Sequence, residues 1–135
     1  MEKYYSRVNG ELIHIVNRLT DIEGRTDIAL PKEYLQLATL KMEKGKTFDP
    51  HKHIVKNRHH PEQIAQESWV VIKGSVKCIL YDIDDQIIAE PILKAGDASF
   101  TLYGGHTYVI LEDDTIVYEY KTGPYEGQTL DKTFI

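Results

Sequence analysis

Short apolar segments, each ended by a turn signal, follow one another along most of this chain, and that succession constrains its fold more than any other feature. Segments 34–42, 68–73, 75–81, 86–93, 106–111 and 115–121 are rich in Val, Ile, Leu and Tyr. Lys73-Gly74, Asp84-Asp85, Lys94-Ala95-Gly96-Asp97 and Glu112-Asp113-Asp114 separate them. Such residues supply the tight geometry of hairpins. Helical periodicity is missing, so the pattern predicts an all-β sandwich or closed barrel. The expectation is roughly 9–11 strands, with few edges left free.

The first third is less regular. Leu12–Val16 reads as a strand, 17–31 as a loop, and 61–66 as one helical turn. The Gly123-Pro124-Tyr125-Glu126-Gly127 stretch breaks regular structure and ends the domain. A length of 135 residues fits one domain over 1–135, with a core barrel over about 34–122. The N-terminal strands, within about 1–33, have no place in such a barrel. Pairing them across a two-fold axis would satisfy their edges, which predicts a homodimer.

A net charge of −5 with scattered lysines argues against nucleic acid as a partner. No apolar run approaches the ~18 residues of a membrane span, and no signal-peptide core is visible, so the expectation is a cytoplasmic protein. Cys78 is the only cysteine and sits in the apolar run Val76-Lys77-Cys78-Ile79-Leu80, as a buried inert thiol would. His14 alternates within its own apolar run and reads as structural.

The chemistry-bearing residues begin with His51-Lys52-His53. Residues two apart on a strand share a face, so both imidazoles can converge on one point. Neutral imidazole is a good ligand for transition metals. Around them stand Gly45-x5-His51-x-His53 and, after a spacer, Glu67-x6-Gly74. Further on, Gly96 is followed by Leu102, Gly104, His106 and Ile110. These spacings resemble the two motifs of the cupin superfamily, G-x5-H-x-H-x(3,4)-E-x6-G and G-x5-P-x-G-x2-H-x3-N. The first departure is a thirteen-residue spacer after His53, which requires an inserted loop holding Glu62 as a rival to Glu67. The second motif carries Leu102 for proline, Ile110 for asparagine, and one residue fewer before its histidine.

The resemblance implies a cupin-type double-stranded β-helix, a jelly-roll barrel. It also implies a ligand set of His51, His53, Glu67 and His106 around one divalent transition metal, with Zn, Fe, Mn and Ni all acceptable. Its metal should be lost as pH falls through about 6, where imidazoles take up protons. Leu35-Gln36, Pro50-His51-Lys52-His53, Gly104-Gly105-His106 and Lys121-Thr122-Gly123-Pro124-Tyr125 look like a group of small bacterial cupins found with surface-polysaccharide biosynthesis enzymes.

By alternation, Trp69 follows Glu67 and Tyr108 follows His106 into a pocket, where aromatic rings suit a sugar or aromatic ligand. Tyr118 is a further pocket candidate, and Arg58, in the inserted loop with His59 and His60, is a candidate lid residue. Tyr108, Tyr118 and Lys41 are candidates for acid–base work beyond the ligands. The function expected is a metal-dependent enzyme acting on a small polar or sugar-derived substrate. The alternatives are a non-catalytic small-molecule or metal-binding module and a metal-free sugar-nucleotide isomerase.

Overall fold

The computed structural model describes residues 1–53, 65–124 and 132–135. In chain order its strands are β1 (Glu2–Tyr5), β2 (Leu12–Val16), β3 (Arg25–Asp27), β4 (Leu35–Met42), β5 (His51–His53), β6 (Glu67–Lys73) and β7 (Ser75–Tyr81). They continue with β8 (Ile87–Ala89), β9 (Ile92–Lys94), β10 (Ala98–Thr101), β11 (Gly105–Ile110), β12 (Thr115–Thr122) and β13 (Lys132–Phe134). The one helical element among the described residues is a 3-10 turn at Leu19–Asp21.

Two antiparallel sheets face each other. One has the order β10-β6-β12-β4-β3 and the other β13-β5-β11-β7-β8, with β9 also pairing β7. Among the described residues, β1 and β2 pair only with each other, as a separate hairpin.

Strand alternation explains why the interior is apolar at one end and polar at the other. Along β6 the inward row runs Val71, Trp69, Glu67; along β11 it runs Ile110, Tyr108, His106. On β12 it runs Val117, Glu119, Lys121. The apolar ends meet Ala38, Leu40 and Met42 of β4 and Val76 and Cys78 of β7 in one core. Burial of this kind supplies roughly 25 cal/mol per Å² of apolar surface, and it rigidifies the strands whose other ends carry the polar groups.

Turn chemistry sets the register. Asp85 and Asp114, at hairpin tips, have positive φ, a conformation that Asp tolerates better than most residues. Gly74, between β6 and β7, has φ +85°, and a Cβ there would lie 2.3 Å from Thr115 Oγ1. The x6 spacing from Glu67 to Gly74 is thus the length of one strand plus a turn that only glycine fits.

Several expectations need correction. There are thirteen strands among the described residues rather than 9–11. Segment 86–93 divides at Glu90-Pro91, because proline has no N–H for the ladder; the Pro91 carbonyl still accepts from Cys78 N–H at 2.8 Å. The stretch 17–31 is not all loop: it holds the 3-10 turn and β3, which pairs with β4. The chain does not leave the domain at 123–127, since β13 returns to pair with β5. The sheets keep short edge strands, β10 and β3 in one, β13 and β8 in the other, so hydrogen bonding does not close them into a continuous barrel among the described residues. Residues 61–64 of the expected helical turn lie outside the described residues.

Candidate metal centre

Three imidazoles come from one sheet and one carboxylate from the sheet facing it. His51 and His53 project from the same face of β5, and β5 pairs with β11 so that His51 lies directly opposite His106. Glu67 opens β6 on the other side. Their ligand atoms all lie within 4.8 Å of one another, and all four residues are buried. Ring centroids are 4.8 Å apart for His51 and His106, 5.3 Å for His51 and His53, and 5.7 Å for His53 and His106.

Hydrogen bonds aim the nitrogens. His51 Nδ1 stands 2.9 Å from the Asp49 carbonyl, which can only accept, so Nδ1 carries the proton and Nε2 keeps its lone pair. His106 Nδ1 bonds Thr101 Oγ1 at 2.6 Å. Its Nε2 is buried with no hydrogen-bond partner, 3.5 Å from Glu67 Oε1. A buried polar atom without a partner costs about 1–3 kcal/mol, and a cation is what this lone pair lacks. His53 Nε2 lies 2.7 Å from Glu67 Oε2.

The electrostatics favour deprotonated donors at His51, His106 and Glu67. Burial pushes His106 down to about 4, against the pull of the Glu67 carboxylate, and burial lowers His51 as well. Burial alone would raise Glu67, but the hydrogen bond from His53 and electrostatic attraction to His106, His53 and His51 whenever these take up a proton hold it at about 2. At neutral pH His51 and His106 are therefore neutral and Glu67 is ionised, the state that binding an ion requires. Two ligands on one ion with bonds of ~2.0–2.3 Å are at most ~4.6 Å apart. The cluster meets that bound to within a few tenths of an ångström, so the residues fit a single transition metal.

Beside the cluster lies a cavity of about 380 Å³. Phe48, Trp69 and Tyr108 form its apolar side, and Arg25, Asp27, Gln36, Glu119, Lys121 and Lys132 bring polar groups to it. Trp69 and Tyr108 stack face to face, with centroids 3.8 Å apart, and Phe48 meets Trp69 edge-on. The rings spend their faces on each other, so the flat aromatic wall expected from the sequence is a packed support.

Tyr118 does not line this cavity. β12 alternates without interruption against β4, with Thr115, Val117, Glu119 and Lys121 on the inward face, so Tyr118 projects from the other; the register shift against β6 comes from Ile72, an extra residue of β6. Lys41 is exposed, 3.7 Å from Asp114, and takes no part. Arg58, His59, His60 and Glu62 lie outside the described residues.

Sequence reasoning missed Glu119 and Arg25. Glu119 is buried; one oxygen accepts from Trp69 Nε1 at 3.0 Å and the other from Arg25 Nη2 at 2.9 Å. The available signal was a charged residue two positions after Val117 in an inward row.

No protein-family model matches the chain, and no curated protein matches it. Solved structures do. A Klebsiella pneumoniae protein with a double-stranded β-helix domain superposes with a TM-score of 0.55 at 16% identity, covering 77% of this chain and 81% of that one. The fold is that of the cupins. KdgF from Halomonas sp. matches this cupin fold with a TM-score of 0.55 and 23% identity, over 73% of this chain and 77% of its own. The capsular polysaccharide assembling protein CapF from Staphylococcus aureus matches with 0.67 and 16%, over 96% of this chain but only 36% of CapF. At these identities the likeness speaks for the fold, and function must be argued from the site.

Proposed function

We propose that His51, His53, Glu67 and His106 hold one divalent transition metal, and that the chain is an enzyme acting on a small polar molecule admitted to the adjoining cavity. The observation that carries this reading is the buried donor cluster beside a 380 Å³ space, with His106 Nε2 left unbonded. A structural metal site is closed by its ligands, whereas a site beside a ligand-sized cavity is built to receive another molecule. A bound ion supplies Lewis-acid polarisation of a carbonyl or hydroxyl. The chain's own groups do the rest. Asp49 and Thr101 orient His51 and His106, and the stacked Trp69 and Tyr108 exclude water from the apolar side. CapF, the capsular polysaccharide assembling protein, is the observation in favour of a sugar-derived substrate.

Elemental analysis of tag-free protein tests the metal. The expected result is about one transition-metal ion per chain; a trace quantity in protein offered zinc, iron and manganese overturns it. Retention against pH tests the electrostatics. Because burial depresses His51 and His106, protons compete only below the ordinary histidine range. The ion should therefore stay bound at pH 6 and leave between about 6 and 4, a lower window than the sequence alone implies. Release at pH 7 would contradict the buried site.

We propose also that the β1–β2 hairpin docks on a second copy of the chain. A lone two-stranded hairpin is marginal in water, and this one exposes Tyr4, Tyr5 and Ile13. Light scattering should give a dimer at micromolar concentration and a monomer for Tyr5→Asp with Ile13→Asp. A wild-type monomer would remove this reading.

A further inference from the structure

One inward row crosses four strands of the sheet that carries Glu67. Asp27 of β3 lies opposite Ala38 of β4, Ala38 opposite Glu119 of β12, and Glu119 opposite Trp69 of β6. Residues opposite each other in a ladder project from one face, so these side chains share the interior side of the sheet. Ala38 contributes only a methyl, and the Arg25 guanidinium bridges over it. Its Nη2 lies 3.1 Å from Asp27 Oδ1 and 2.9 Å from Glu119 Oε1, and its Nε donates to Asp27 Oδ1 at 3.2 Å. Glu67 stands in the adjacent inward row, two residues along β6 from Trp69. The strand rise sets the two rows about 7 Å apart.

The bonds within this group leave particular atoms unused. Among the described residues the bonds of Arg25 run through Nε and Nη2, which leaves the N–H groups of Nη1 to donate. Glu119 accepts once at each oxygen, from Arg25 and from Trp69 Nε1 at 3.0 Å, whereas a carboxylate offers about four acceptor sites. Arg25, Asp27 and Glu119 all line the cavity. Two carboxylates clamp the guanidinium plane, so the unused donors and acceptors are set before a ligand arrives and need little further ordering.

A fixed donor beside fixed acceptors discriminates among ligand groups. An ionised carboxylate or a sulfate only accepts; it would meet Arg25 but be pressed against Asp27 and Glu119. An ammonium only donates, and would meet Glu119 while facing Arg25. A hydroxyl does both. Of two neighbouring hydroxyls, one can accept from Arg25 Nη1 and the other donate to Glu119, and neither brings a charge into the ion pair.

We propose that Arg25, held by Asp27 and Glu119, forms a diol-binding subsite, and that the cavity's ligand is a neutral polyhydroxy molecule the size of a single sugar ring. This rests on the enzyme reading above and names the class of molecule that site accepts. The row spacing and the cavity of about 380 Å³ let one such ring reach from this subsite to the His–Glu cluster.

The test is ligand-observed NMR titration of tag-free, zinc-loaded, full-length protein with D-glucose, D-galactose and D-mannose, and with cyclohexanol as a ring bearing one hydroxyl. At least one aldose should bind, and at least about tenfold tighter than cyclohexanol. Arg25→Lys should weaken that aldose about tenfold, because the ammonium keeps the charge that ties β3 to Glu119 but loses the second arm of the fork. Thr26→Val, on the opposite side of the same strand, should stay within about twofold of wild type. Asp27→Ala removes one clamp at an exposed side chain and should weaken the aldose at least about threefold; it decides the question if Arg25→Lys melts early. No aldose binding, cyclohexanol binding as tight as any aldose, or aldose affinity indifferent to both Arg25→Lys and Asp27→Ala would each overturn the proposal. Sulfate should not displace the bound aldose; displacement that Arg25→Lys abolishes would make this an anion site instead. If the wild type takes up no zinc, the metal reading falls separately. The titration is then run on that metal-free protein, and Arg25-dependent aldose binding upholds the subsite while its absence removes it.

Discussion

His106→Ala should strip the protein of its metal. His106 is fully buried at the meeting point of the two sheets, with Nδ1 held by Thr101 and Nε2 facing Glu67. Losing a group that merely supports a ligand costs ~10–100-fold in metal affinity; losing the ligand itself should cost at least ~100-fold. Thr101→Val provides the comparison and should fall in the lower range. Alanine leaves a cavity beside a well-packed core, so the fold should survive with a loss of about 1–3 kcal/mol. Glu67→Ala should empty the site in the same way. Metal content by mass spectrometry and near-ultraviolet circular dichroism separate the two effects. A metal-replete His106→Ala protein would sink the assignment, and one emptied by Glu62→Ala but not Glu67→Ala would move the carboxylate into the inserted loop.

Trp69→Ala should be the most damaging single change to stability. The side chain is 1% exposed, stacked on Tyr108, edge-on to Phe48, and its N–H serves Glu119. Truncating a buried tryptophan costs about 3–5 kcal/mol, and here it also leaves a buried carboxylate oxygen without its donor. Trp69→Phe separates these contributions: it keeps most of the packing and should lose about 1–3 kcal/mol, mainly through that oxygen. Urea unfolding of both variants gives the measurement. A Trp69→Ala protein within about 1 kcal/mol of wild type would show that the core does not depend on this stack.

What the sequence revealed divides along a physical line. Strands such as β6 and β11 carry six or seven residues whose alternation repeats often enough to be read, and with it the inward aim of Trp69 and Tyr108. The two-residue spacing of His51 and His53 likewise placed them on one face. Strands of three residues, such as β3 and β13, offer no period at all; they are strands because a neighbour supplies the ladder. Arg25 and Lys132 sit on those two strands, so two of the cavity's three cations were among the parts least visible beforehand. The bulge in β6 was hidden for a different reason. Val70, Val71 and Ile72 are all apolar, and nothing in that run says where the pairing with β12 skips a residue.

Arg25 reaches from β3 to grip Glu119, and Asp27, Ala29 and Pro31 follow it onto the cavity rim. The interchangeable part of the molecule is therefore not a distant appendage. Substitutions along 25–31 can reshape the entrance while the inward rows of β4, β6 and β11 stay untouched, which is how one scaffold could diversify among ligands without renegotiating its core. The same arrangement sets a practical limit on engineering. A barrel trimmed to begin at residue 34 would keep every donor of the cluster yet open one wall to water, leaving Glu119 with a single partner.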